Sequence, residues 1–283
     1  MLFQMWRREV KAMERLGKLE GSLRILADDE GQEKGFIDMG GLEDKEVKVR
    51  GTLLRHVKAW EDAGAGRFAL GVIRDGFKLD MFQMPGAYEE RNNKSFENDQ
   101  EFAIEAIQKL VKKEILKEVE KNEVRCVNPL TVAINGVGKK RLCIDLSRCV
   151  NEVNPAPKFR IESTVQFLQV VKQGDWMFAF DLMSAYHQIE MFKEHWKFLG
   201  LGLVIDGVRR FFVFTCLPFG LNDAARALTK LLRFPLQRWR EWGVKSFIHL
   251  DDGIGAMAGK KEAQRMSDEV KKDLAHFGLL TSE

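Results

Sequence analysis

Long apolar runs are missing from this sequence of 283 residues: its most apolar stretch, 198–221, is broken by Asp206, Arg209 and Arg210. An uninterrupted span of about 20 apolar residues, the length a membrane-crossing helix needs, is therefore excluded. Cysteine is scarce. Cys126, Cys143, Cys149 and Cys216 form no Cys-x-x-Cys pair and have no histidine at zinc-finger spacing. Neither a metal ribbon nor a disulfide framework is expected, and the thiols read as reduced and intracellular. The start, "MLFQMWRREVKAMER", turns charged within seven residues and lacks a long apolar core, which argues against a secretory signal. Nor does one sign of charge dominate. The 45 basic residues face 42 acidic ones, a net charge of +3, too mild by itself to indicate a nucleic-acid partner. No internal repeat is visible. The expectation is a soluble protein of the cytoplasm or nucleus, without a membrane partner.

What is present supports a folded chain. A hydrophobic share of 45% can bury the core of one large domain or two modest ones. Residues 1–27 have loose helical spacing, 28–46 read as an acidic, glycine-rich linker, and 86–100 as an exposed polar loop. In "EFAIEAIQKLVKKEILKEVEK", Phe102, Ile104, Ile107, Leu110, Val111, Ile115 and Val119 recur at helical spacing. That predicts one amphipathic helix over 101–121, with Asp99 as its N-cap. "PLTVAINGVGKKRLCIDL" reads as a hairpin turning at Asn135-Gly136. Helix is expected over 163–172, a buried strand over 176–181, and a short helix over 184–191. A hairpin over 200–214, turning at Asp206-Gly207, precedes a helix over 222–242, a hairpin over 244–258 and a helix over 260–276. Interleaved hairpins and helices predict an α+β fold, an antiparallel sheet with helices packed on one face.

The stretch "FIHLDDGIGAM" puts Asp251 and Asp252 at the tip of an apolar hairpin. Taken alone, Asp-Asp-Gly reads as a turn with a solvated acid. A third carboxylate, Asp181, ends the apolar strand "WMFAFD"; taken alone it reads as a strand-ending turn or a helix N-cap. Together the three change meaning. If the two strands adjoin, their acids meet, and uncompensated carboxylates at strand ends cost several kcal/mol unless protonated or metal-bound. Mg²⁺ prefers such oxygen ligands, with water and phosphate completing its shell. Two such ions about 4 Å apart can activate a 3′-hydroxyl and stabilise a leaving pyrophosphate oxygen. Two Mg²⁺ ions are the expected cofactors, with Mn²⁺ as the alternative.

"FDLMSAYHQI" (180–189), "LPFGLNDA" (217–224) and "HLDDGIG" (249–255) resemble motifs A, B and C of reverse transcriptases, in order. The intervening sequence is similar to retrotransposon enzymes of the DIRS-like class. The resemblance covers roughly 100–283 and includes the fingers-like "GKKRLCIDLSRCVN". It implies RNA-directed DNA polymerase activity, with a primed RNA or DNA template and dNTPs as partners. It also implies a fingers-like region over 66–175 and a palm over 176–283, with 1–65 unassigned. Asp181 and Asp251 match metal ligands, Asp252 the third acid, and Leu182 a carbonyl ligand. Tyr186 matches the aromatic gate that excludes a 2′-hydroxyl. Arg141 matches the fingers arginine on the triphosphate, where a planar fork of donors suits phosphate. Phe219 and Gly220 match positions lining the nucleotide pocket. Arg226, Lys230 and Arg233 form a basic helix face that reads equally as a track for a phosphate backbone and as a solvated side.

Some residues depart from the pattern. His249 stands where the family usually has tyrosine at the primer end. The lysine before the fingers turn is absent, with Lys139 or Lys140 as substitutes. Asp223 adds a negative charge beside the nucleic-acid path. The chain stops at "HFGLLTSE", before the family's next lysine, primer grip and thumb. The thumb is thus expected to be absent, and a longer polymerase chain is a candidate partner. The alternative function is a truncated, non-catalytic nucleic-acid-binding remnant.

Overall fold

The computed structural model describes residues 24–25, 48–134 and 140–282. The expected helical segment over 1–27 and linker over 28–46 lie outside those residues except for Arg24–Ile25, which is a strand. The Asn135-Gly136 turn and Lys139 also lie outside them. The chain divides into two compact units. Of the described residues, one comprises Arg24–Ile25, Arg160–Ala185 and 229–282, the other those between 48 and 159 together with Tyr186–Leu228.

The first unit is built on the strands Trp176–Asp181, Asp252–Met257 and Lys245–His249, which run antiparallel side by side. Arg24–Ile25 joins the outer edge in parallel, so the sheet is antiparallel in its main strands and mixed as a whole. Its register depends on two glycines. Gly253 lies opposite Phe180 and Gly255 opposite Phe178. A Cβ at either glycine would fall 2.1 Å and 2.2 Å, respectively, from those rings. Each ring therefore covers the bare backbone of its neighbour. A slip by one residue would set the rings over Asp252 and Ile254 and turn the apolar set to the wrong face.

Alternation sorts the side chains. Phe178 and Phe180 point to one face, where Phe180 meets Trp239 edge-on, with ring centroids 5.5 Å apart. Trp239 belongs to the helix Ala224–Glu241 and donates its indole N–H to Asp273 of the helix Lys260–His276 at 2.8 Å. The aromatic pair and that bond join the two long helices, both expected from the sequence, to this face. Met177, Ile254, Ala256 and Phe247 point to the other face and pack with Phe167, Leu168 and Val171. Phe167 and Leu168 come from the short helix Thr164–Val170 and Val171 follows its end; the helix starts on a capping box between Ser163 and Gln166 that satisfies two otherwise orphaned N–H groups.

The second unit holds a five-stranded sheet in the order Tyr88–Glu89, Cys126–Val127, Gly200–Ile205, Val208–Phe214, Leu116–Val119. The expected hairpin forms. Asp206 and Gly207 both take positive φ, 52° and 76°, the twist-matched geometry that Asp-Gly favours. A separate two-stranded hairpin pairs Leu130–Ile134 with Lys140–Ile144. The single helix expected over 101–121 is corrected. It runs from Gln100 to Lys112; Glu114 then takes φ 58°, and Leu116–Val119 pairs with residues 211–214 as a strand. Ile115 and Val119 fit either period, and the open edge of the sheet decided. Asp99 occupies the N-cap without a side-chain capping bond because its carboxylate pairs with Lys140.

The polar stretch 86–100 is likewise more than a loop. It contains a short strand and the helix Lys94–Asn98, and Asn92 and Ser95 accept hydrogen bonds from the amides of Leu130 and Val132. Its polarity serves a strand edge as well as solvent. Cys126 and Cys149, separated by 23 residues, pair with each other, while Cys143 and Cys216 remain separate thiols. The expectation of four separate thiols is corrected, because pairing follows proximity in the fold and not motif spacing. Among the described residues no helix is long and apolar enough to cross a membrane.

Gly255→Ala should destabilise the protein by about 1–3 kcal/mol, the usual cost of overfilling a packed site, as read by chemical denaturation. An unchanged midpoint would show that the Phe178 ring does not fix the strand.

Candidate active site

Asp181 and Asp252 are direct cross-strand partners. The Leu182 amide donates to the Asp251 carbonyl at 2.8 Å, which makes Asp181–Asp252 a non-hydrogen-bonded pair, the type whose side chains lie closest. Both carboxylates leave the same face of the sheet. Asp251 sits at the tip of the loop, exposed, while Asp181 and Asp252 are half-buried. The loop is tighter than the sequence suggests. His249 pairs with Asp252, leaving Leu250 and Asp251 as the two loop residues, so Asp252-Gly253 begins a strand and is not the turn. Leu250 takes φ 60°, a place where glycine is usual. Backbone strain of this kind costs on the order of 1–3 kcal/mol and concentrates at functional sites.

The electrostatics follow from this geometry. Burial raises the Asp181 carboxyl above the ordinary aspartate range, and Asp251 adds to the rise, while a hydrogen bond from the Ser282 side chain opposes it. Burial also raises Asp252, with Asp251 and Asp181 adding repulsion and His249 opposing it. Buried acids elsewhere in this unit are matched by donors: Asp175 pairs with Lys245, and Asp273 with Arg238 and Trp239. At the hairpin tip, the acids face each other instead.

That donor set fits a hard divalent cation. Carboxylates that repel one another gain by sharing one, and the Leu182 carbonyl lies beside them in sequence. Among the described residues no group of three or more His, Cys, Asp or Glu side chains is placed to hold a metal ion by itself. An open arrangement suits an ion that keeps several waters and binds through one or two carboxylates plus phosphate. His249 stacks on Phe247, with centroids 6.3 Å apart, as a packed strand residue beside the acids.

The nucleotide-binding candidates lie in the second unit. Tyr186 packs edge-on against Phe219, centroid to centroid 5.0 Å, and His187 meets the same ring at 5.5 Å. His187 was not singled out by any sequence motif; burial pushes its pKa down to about 4, so it stays neutral at pH 7. Phe219 is 50% exposed, open to a ligand on one side. Gly220 takes φ 99°, and a Cβ there would lie 2.4 Å from the Ile144 carbonyl oxygen, so backbone meets backbone where a side chain cannot fit. Arg141 is exposed at the end of the Lys140–Ile144 strand. Lys140 is engaged, pairing with Asp99 above the Phe102 ring.

The basic face divides in the same way. Arg226 forks onto the buried Asp223, so the unwelcome acid and this arginine neutralise each other. Lys230 is half-buried, and Arg233 is exposed with one long contact, 3.5 Å, to the Arg160 carbonyl.

The profile of the family described as reverse transcriptase (RNA-dependent DNA polymerase) matches residues 106–283. The fold is similar to the native prototype foamy virus protease–reverse transcriptase, with TM-score 0.58, 16% identity, and coverage of 73% of this chain and 26% of that one. It is also similar to the foamy viral protease–reverse transcriptase in complex with an RNA/DNA hybrid, with TM-score 0.59, 17% identity, and coverage of 72% and 26%. A third similar structure, the foamy viral dRH form with double-stranded DNA, has TM-score 0.56, 18% identity, and coverage of 75% and 34%. The chain thus spans about a quarter of the length of the first of these, 26%. No curated protein matches it.

A pH dependence follows from the raised carboxyls. Because Asp181 and Asp252 hold protons more tightly folded than unfolded, their contribution to stability is full below the unfolded aspartate pKa. It is lost as pH rises through the folded values. In EDTA, Asp252→Asn should therefore lose less stability than wild type between pH 3.5 and 7, read by thermal melting. Parallel curves for the two proteins would contradict this.

Proposed function

We propose that this chain, which belongs to the reverse transcriptase (RNA-dependent DNA polymerase) family, adds deoxynucleotides to a primer 3′-hydroxyl on an RNA or DNA template. The observation that carries this reading is the register that sets Asp181, at the end of its strand, against Asp252 beside the hairpin loop. Asp181, Asp251 and the Leu182 carbonyl would hold two Mg²⁺ ions, with Asp252 as the third acid, facing Asp181 across the strands. When bound, such ions stabilise the attacking and leaving oxygens of an in-line displacement.

The remaining roles belong to this chain's side chains. Arg141 offers a planar fork to the triphosphate of a dNTP. Tyr186, held edge-on by Phe219, presents a ring where a ribose 2′-hydroxyl would have to fit. Gly220 lets the loop backbone come close to its neighbour, and neutral His187 supports the Phe219 ring without adding charge. Arg233 and Lys230 would meet a phosphate backbone, whereas Arg226 serves its own loop through Asp223. His249 would pack beneath the primer end. Lys140 acts indirectly, by fixing the hairpin that carries Arg141. On this reading residues 66–175 are fingers-like, 176–283 form the palm, and the protein works in the cytoplasm or nucleus on nucleic acid of retroelement origin.

Primer extension on an RNA template tests it. Asp251→Asn should lower the rate at least about a hundredfold, since metal ions contribute several kcal/mol to such steps. Equal background from the wild type and this variant would reject catalysis by this chain. In the same assay Tyr186→Val should raise ribonucleotide incorporation relative to deoxyribonucleotide by on the order of tenfold or more, the discrimination a steric clash provides. An unchanged ratio would remove Tyr186 from sugar selection.

A further inference from the structure

The loop that carries Phe219 is held by a clasp of asparagines, of which Asn151 and Asn222 fall within the stretches quoted above without a role assigned to them. The Asn151 side chain donates to the Gly220 carbonyl at 2.8 Å and accepts from the Asn222 amide at 3.0 Å. One amide group thus grips the loop on both sides of Leu221. The Asn222 side chain returns the contact, donating to the Asn154 carbonyl at 2.7 Å, and Asn154 donates back to Asn222 at 3.2 Å. Asn154 is fully buried, so this grip has a rigid base.

Asn151 and Asn154 lie at the helix Val150–Val153, a few residues beyond the strand Lys140–Ile144 that carries Arg141. Gly220 rests against the last residue of that strand, at the Ile144 carbonyl. The two ends of a dNTP would be read by these two elements, the triphosphate by Arg141 and the sugar side by Tyr186 and Phe219. Their separation is set by the clasp and by the Gly220–Ile144 approach.

We infer that Asn151 is a positioning residue for the incoming nucleotide, acting as a two-point clasp that fixes the Phe219 loop against the strand bearing Arg141. The inference rests on the polymerase reading for the identity of the ligand and adds a residue to it. Asn151 suits the task because an amide both donates and accepts in one plane. Aspartate keeps the acceptor for the Asn222 N–H but sets an oxygen against the Gly220 carbonyl, and alanine removes both contacts.

The test uses the full chain bound to a primer–template whose primer ends in a dideoxynucleotide, so that a dNTP can bind but not react. The dissociation constant of a fluorescent dATP is measured in Mg²⁺ for wild type, Asn151→Ala and Asn151→Asp, beside primer–template affinity and melting temperature. Both variants should weaken dATP binding by about tenfold, the scale of a small misplacement of a reading group, with primer–template affinity unchanged. The near-isosteric Asn151→Asp decides the matter if Asn151→Ala does not fold. Wild-type dATP affinity in the variants, or a matching loss of primer–template binding, would overturn the inference. So would failure of the wild type to bind dATP. Retained dATP binding with no extension from an unblocked primer would instead reject the polymerase reading and leave the clasp standing.

Discussion

Two phenylalanine rings lying on two glycines govern the active-site unit. Phe180 over Gly253 and Phe178 over Gly255 lock the Trp176–Asp181 strand to the Asp252–Met257 strand in one register, and only in that register does Asp181 stand opposite Asp252. The Phe180 ring extends this contact to the long helices through Trp239. Each buried aromatic side chain contributes on the order of 1.5–3 kcal/mol through burial. Packing on one face of the sheet thereby holds like charges together on the other, a placement the charges themselves oppose.

That opposition is informative. Where this chain buries an acid for structural reasons it supplies a donor, as with Lys245 for Asp175, Arg226 for Asp223 and Trp239 for Asp273. At the hairpin tip it supplies neighbouring carboxylates, half-burial, and a loop residue with a left-handed φ. Strain and repulsion that the fold does not relieve are expected where a ligand relieves them. The unit that carries Tyr186, Phe219 and Arg141 works by a different principle. There the groups beside the loop pair internally, through asparagine amides and the pairs Lys140–Asp99 and Arg226–Asp223, while Arg141 and half of the Phe219 surface are exposed.

Some elements were legible because several local rules agreed. The Asp206-Gly207 hairpin, the Trp176–Asp181 strand and the helices Ala224–Glu241 and Lys260–His276 each combine periodicity with suitable turns or boundaries. Others were misread for identifiable reasons. The run 101–121 keeps helical spacing past Lys112, yet Leu116–Val119 is drawn off by the edge of a sheet whose other strands lie about 90 residues away. The asparagines of 86–100 and Asn154 carry no pattern of their own, and Asn151 ends a recognised stretch that gives it no role; they matter through carbonyls and amides that only the fold brings to them. Arg226 and Lys140 are basic in the sequence and paired in the structure, so charge counting overstated what each could offer a phosphate.

By itself the sequence determined the chemistry available: three acids at apolar strand ends, an aromatic five residues after the first, a glycine after Phe219, and the order of elements that carries them. Those are local matters of residue type and spacing. The tertiary structure alone decided that Asp252, and not Asp251, faces Asp181, that the turn falls at Leu250-Asp251, that Cys126 meets Cys149, and that Asn151 grips the Phe219 loop. Each of these depends on register or on contact between distant segments, which is set by the packing of a whole unit and has no local signature in the residues concerned.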